Sequence, residues 1–144
     1  MILKCAIVDD EPLAVELLAS YVNKIPFMQL AGKYYSATEA MKDMAGGSVD
    51  VIFLDIQMPE INGLELSKMV PETTRIVFTT AFDQYALAGF RSNALDYLLK
   101  PITKSTLIGV LEEVREKIQG ERAQQNYLAQ FHQEAQDYEQ YARR

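Results

Sequence analysis

Val49-Asp50-Val51-Ile52-Phe53-Leu54-Asp55 is the stretch on which the fold turns. After Asp50 it is an unbroken apolar run that stops on an aspartate. A strand with one wet face would alternate polar and apolar residues, whereas a continuous run suits a strand buried on both faces of a parallel sheet. Comparable runs occupy residues 3–8, 27–32, 75–79 and 95–99, spaced about 20 to 25 residues apart. Helical patterns lie between them. Ala14, Leu17, Leu18 and Tyr21 fall at i, i+3, i+4 and i+7, one face of an amphipathic helix, with Asp10 and Pro12 placed as its N-cap and first-turn proline. Leu107, Val110, Leu111, Val114 and Ile118 form a second stripe after Thr103, a fitting cap. Strand and helix alternate five times, which predicts an α/β protein, a (βα)5 doubly wound parallel five-stranded sheet.

The composition fits one soluble domain. The chain has 144 residues, 49% hydrophobic and 24% charged. Twenty acidic against fourteen basic side chains give a net charge of -6, which argues against gripping nucleic acid by charge alone. No apolar run is long enough for a membrane span, and the segment after Met1 is too short for a secretion signal. The single cysteine, Cys5, excludes an internal disulfide and a cysteine-rich zinc site. It fits a reducing, cytoplasmic setting and reads as a small core residue. Met41 and Met44 read as core filler on the second helix, and His132 as a solvated residue.

In a parallel α/β sheet, ligands gather beyond the carboxyl ends of the strands. Those ends here carry Asp9 and Asp10, then Asp55, then Thr80, then Lys100. Three carboxylates brought together need a counter-ion to stay ionised. Hard oxygen donors without histidine or cysteine select Mg2+ or Mn2+. A lysine and a hydroxyl beside such a metal are the parts required to bind and transfer a phosphoryl group. Two other readings also use a carboxylate or phosphate site at a strand end. A haloacid-dehalogenase-type phosphatase wants a second aspartate two residues after its nucleophile, where this chain has Gln57. A flavin binder needs a phosphate-cradling loop after the first strand, where Asp9, Asp10 and Glu11 would repel phosphate.

Four motifs then carry a resemblance. They are Ile7-Val8-Asp9-Asp10-Glu11-Pro12, Leu54-Asp55-Ile56-Gln57-Met58-Pro59 followed by Gly63, Thr79-Thr80-Ala81, and Tyr97-Leu98-Leu99-Lys100-Pro101. In this order and spacing they resemble the response-regulator receiver domain of two-component systems, over residues 1 to about 120. The resemblance implies a flavodoxin-like sheet of order 2-1-3-4-5 and a signalling module rather than a turnover enzyme. It implies Asp55 as phosphoacceptor, with Mg2+ (or Mn2+) held by Asp9, Asp10, Asp55 and the main-chain carbonyl of Gln57. Lys100 and Thr80 would hold phosphoryl oxygens, Thr80 and Tyr97 would form the switch pair, and the Lys100–Pro101 bond would be cis. The implied partners are a sensor histidine kinase and, on phosphorylation, a second copy of the chain.

The run Ala81-Phe82-Asp83-Gln84-Tyr85-Ala86-Leu87, with Ala94-Leu95-Asp96 leading into Tyr97, is similar to receivers of LytTR-type (LytR/AgrA family) DNA-binding regulators. That likeness implies an interface containing Tyr85, Phe90 and Asp96, and DNA contact only through a further C-terminal domain, with no membrane role. Residues 121–144 are Gln-rich, without Pro or Gly, and place Tyr127, Phe131, Ala135, Tyr138 and Ala142 at near-helical spacing. They are expected to prolong the last helix as a linker toward such a domain, or to pair with a second copy. A stand-alone receiver acting by protein–protein interaction or phosphorelay is the alternative.

Overall fold

A computed structural model describes residues 1–44, 49–81 and 94–143 of the chain. Its elements in chain order are β1 (Leu3–Val8), α1 (Pro12–Val22), β2 (Met28–Tyr34), α2 (Ala37–Met44), β3 (Val51–Asp55), α3 (Gly63–Ser67), β4 (Arg75–Thr80), β5 (Ala94–Leu99) and a C-terminal helix (Lys104–Ala142). The strands form one sheet of order β2-β1-β3-β4-β5, every pairing parallel. The chain divides into two compact units, Met1–Val110 and Leu111–Arg144.

Burial follows from the sequence runs. All five residues of β3 are buried, as are four consecutive residues at the end of β1. β1 and β4 flank β3, so the register aligns Val8 with Leu54 and Asp55 with Thr79. The two central strands therefore end level, and the residues after them meet at one edge. Alternate side chains serve opposite faces of the sheet. Ala6, Val8, Ile52, Leu54, Ile76 and Phe78 pack with Ala37 and Ala40 of α2 and Leu66 of α3. On the other side, Ile7, Phe53 and Thr79 line a narrow cleft of about 100 Å³ with Ala14, Leu17 and Leu18 of α1 and with Pro101 and Ile102.

Several details differ from the sequence reading. The buried residues of α1 are Val15, Leu18, Ala19 and Val22; Leu17 is 45% exposed. The helix is apolar over most of its circumference, so two overlapping stripes satisfy the same period, and the sheet takes the one with compact side chains. The N-cap of α1 is Glu11, not Asp10, with Pro12 at the first helical turn and no side-chain cap bond. Asp10 lies one residue before the cap, with a carboxylate oxygen within 4.8 Å of those of Asp9 and Asp55. β2 ends at Tyr34, two residues later than its apolar run, because it is an edge strand whose burial alternates. Met41 is exposed, not core filler. Cys5 is fully buried, and burial pushes its thiol up to about 12.

Thr103 caps the C-terminal helix as expected: its Oγ1 accepts from Thr106 N at 3.2 Å. Leu107, Leu111, Val114 and Ile118 are buried, and every residue from 119 to 143 is exposed, His132 included. Gly120 does not interrupt this helix. A single glycine costs only about 1 kcal/mol there. Among the described residues no helix is long and apolar enough to cross a membrane.

Candidate functional site

The residues that end β1, β3 and β5 converge. Asp9 and Asp10 follow β1, Asp55 closes β3, and Lys100 follows β5. One carboxylate oxygen from each of Asp9, Asp10 and Asp55 lies within 4.8 Å of the others. Asp9 and Asp55 are buried, Asp10 partly so. Lys100 Nζ sits 2.8 Å from Asp9 Oδ2 and 3.6 Å from Asp55 Oδ1, with Glu11 Oε1 at 3.9 Å. Its peptide bond to Pro101 is cis. Its own N–H donates to the carbonyl of Thr80 at 2.6 Å, which ties the end of β5 to the end of β4.

Local backbone bonds fix the acids. Asp9 Oδ1 accepts from Glu11 N at 2.9 Å, a short turn that holds this carboxylate against the start of α1. Asp55 Oδ1 accepts from Gln57 N at 3.3 Å. Ile56 N donates to the Thr79 carbonyl, and Gly63 N donates to the Ile56 carbonyl, so the loop after β3 folds back over Asp55. A Cβ at Gly63 would collide with the Asp55 carbonyl oxygen and lie 2.9 Å from its carbon. The absence of a side chain there lets α3 start directly against the acid.

The pocket holds more negative than positive charge. Asp55 is pushed up from 3.8 to about 8, first by burial and next by the charge of Asp9; Lys100 pulls it down, while bonding to the Asp10 and Asp9 carboxyls adds to the rise. Lys100 is raised despite its burial, because it bonds Asp9 and faces Asp55 and Glu11. One ammonium thus serves three neighbouring carboxylates. Three oxygen donors this close, with surplus negative charge, fit a hard divalent cation such as Mg2+ or Mn2+.

Thr80 is buried as the last residue of β4, one step past the strand position level with Asp55. Thr79, the neighbouring hydroxyl, faces the cleft on the α1 side. Tyr97 is half-buried on β5 against the core shared with α2 and α3. Asp96 pairs with Val77 across the β4–β5 ladder. Its side chain, like Tyr85 and Phe90, lies outside the described residues. Two positions that the sequence motifs contain have roles that only the structure shows. Glu11 brings a third carboxylate to Lys100, signalled only by its place after the aspartate pair. Gly63 sets the approach of α3, signalled by a glycine four residues after Pro59.

Comparison with known proteins agrees with this geometry. The family model of the response regulator receiver domain matches residues 5–112. The chain belongs to the response-regulator receiver family. The receiver is 43% identical over 117 residues to the transcriptional regulatory protein BtsR of Escherichia coli (strain K12), covering 80% of this chain and 49% of that protein. Against an uncharacterized response regulatory protein of Vibrio cholerae the identity is 42% over 114 residues, covering 78% and 48%. The chain thus spans about half the length of these curated relatives. Among solved structures, the response regulatory domain of mrkE from Klebsiella pneumoniae superposes with a TM-score of 0.74 at 32% identity, covering 81% of this receiver and 98% of that chain. The REC domain of AraT from Geobacillus stearothermophilus gives 0.73 at 30%, covering 85% and 99%. Both bear out the flavodoxin-like sheet of order 2-1-3-4-5.

Proposed function

We propose that Asp55 is the phosphoacceptor of this receiver and that Asp9, Asp10, Asp55 and the Gln57 carbonyl hold the Mg2+ (or Mn2+) that the reaction requires. The observation that carries the reading is the meeting of Asp9, Asp10 and Asp55 at the ends of β1 and β3, with Lys100 from the end of β5 against Asp9 and Asp55. Bound there, the metal would neutralise the acids and the incoming phosphoryl oxygens. An Asp55 carboxylate oxygen attacks the phosphorus of a phosphohistidine on a sensor kinase. The P–O bond forms as the P–N bond breaks, and the imidazole leaves neutral, keeping the proton already on its other ring nitrogen. Lys100, already 3.6 Å from Asp55, pairs with a phosphoryl oxygen of the product. Thr80, at the end of the adjacent strand, donates to another.

The switch reading rests on the same placement. A phosphoryl group on Asp55 gives Thr80 and Lys100 contacts that exist in only one conformation, and Tyr97 on the next strand changes its packing with them. The output is a homodimer formed through β5, the residues preceding it and the start of the C-terminal helix, with Tyr85, Phe90 and Asp96 at the contact. In a longer, cytoplasmic regulator this pairing would bring two LytTR-type DNA-binding domains onto adjacent half-sites, residues 121–144 serving as the helical lead after a receiver of residues 1–120. The transcriptional role of the BtsR relatives supports this output over a stand-alone receiver.

Acetyl phosphate with Mg2+ tests the acceptor. The wild-type chain should gain one phosphoryl mass and Asp55→Asn none; equal labelling of both would overturn the assignment. Beryllofluoride with Mg2+ tests the output, expected as concentration-dependent hydrogen-exchange protection of β5 that the unactivated chain lacks. Site occupancy without any such protection would overturn it.

A further inference from the structure

The C-terminal helix carries a second, separate feature beyond its last buried residue. From Tyr127 to Tyr141 its large apolar side chains are all exposed: Tyr127 68%, Leu128 47%, Phe131 57%, Tyr138 71% and Tyr141 76%. At 100° per residue these five, with Ala135 and Ala142, fall on one arc about 140° wide. The remaining face is polar apart from Ala129: Asn126, Gln130, His132, Gln133, Gln136, Asp137, Glu139 and Gln140. A monomer has no use for so wide an apolar arc on a solvated helix. At the side-chain areas typical of such residues, the five expose roughly 600 Å², as large as the largest patch on most monomers.

We propose that this arc is the seam of a two-helix coil between two copies of the chain, formed without phosphorylation. Pairing two such arcs would remove at most about 1,200 Å² in all, the low end of the range for a stable specific interface. The pattern is also self-complementary. Gln124, Phe131 and Tyr138 recur every seven residues, as do Tyr127, Glu134 and Tyr141, which are the two seam positions of a heptad. Ala135 and Ala142 stand beside the rings and leave holes for the partner's Phe131 and Tyr138 knobs.

One charge opposes it, because Glu134 stands on the seam itself. Glu134 is the only charged residue within the arc, and Gln130 Nε2 donates to it along the helix at 3.3 Å. Asp137, on the flank, accepts from Gln133 in the same way at 3.0 Å. Both acids are thus oriented along their own helix, and the rest of that flank is uncharged amide. His132 rests edge-on against Phe131, ring centroids 6.3 Å apart.

Sedimentation velocity of the full chain, without metal or phosphodonor, tests the seam. At about 100 µM the wild type should run as a dimer. Phe131→Asp and Tyr138→Asp should each weaken pairing at least ~tenfold, while Gln136→Asp on the polar face should not. Circular dichroism checks that each variant keeps its receiver fold. A wild type that is monomeric at about 500 µM, a larger oligomer, or a dimer indifferent to both seam variants would overturn the proposal. So would protection of Phe131 only in a longer polypeptide, which would give the arc to another domain. Asp55 plays no part in this measurement, so its outcome is independent of the phosphoacceptor reading.

Discussion

Asp55 behaves unlike an ordinary carboxyl because it is buried and faces the charge of Asp9, which Lys100 only partly offsets. Its rise from 3.8 to about 8 makes the fold hold a proton that the unfolded chain releases above pH 3.8. Folding therefore takes up a proton between those values, and stability falls as pH climbs from about 4 to about 8, levelling above. Thermal unfolding in Mg2+-free buffer should show Tm declining across that window. Asp55→Asn should flatten the decline and raise Tm at pH 8; a Tm that rises with pH through the window would contradict the charge account. Gly63 supplies a second test at this scale. Gly63→Ala drives a methyl into the Asp55 carbonyl, so urea denaturation should show a loss of about 2 kcal/mol. The same variant should bind Mg2+ more weakly, since relief of the clash moves the loop that positions Asp55. Unchanged stability and affinity would mean that α3 can retreat without disturbing the acid.

At the scale of elements, the β3–α3 loop stores strain beside the site. Glu60 has φ 67, a left-handed conformation that costs a side chain roughly 1–2 kcal/mol. Glu60→Gly should stabilise the fold by about 0.5 to 1 kcal/mol in denaturant titration, once glycine's own entropy loss is counted. Destabilisation would show that the Glu60 side chain contributes more than its backbone costs. The elements also show what the sequence could and could not say. β3 and the end of β1 are legible because burial on both faces removes every polar position. β2 is less so: at the edge, its burial alternates and its last two residues, Lys33 and Tyr34, do not look like core. The face of α1 was misjudged because Leu17 and Val15 both fit a helical period, and only the sheet decides between them. Asp9, Asp10, Asp55 and Lys100 were readable from their places at strand ends. The role of Gly63 was not, because it depends on how closely a helix approaches one carbonyl.

For the whole molecule, the net charge of -6 conceals a division. Much of it is solvated surface, but three acids form one pocket whose repulsion works against folding. A divalent cation that binds only the folded chain adds stability in proportion to the logarithm of its concentration, about 2.7 kcal/mol at a hundred times its dissociation constant. Mg2+ should therefore raise Tm in the wild type and have little effect on Asp10→Asn; equal shifts in both would place the cation elsewhere. The most direct test of the central claim locates the phosphoryl group itself. Borohydride reduces an aspartyl phosphate to homoserine, which peptide mass spectrometry assigns to a residue. After acetyl phosphate and Mg2+, the predicted result is homoserine at position 55 and nowhere else; homoserine at another aspartate, or none on a phosphorylated chain, would contradict the account.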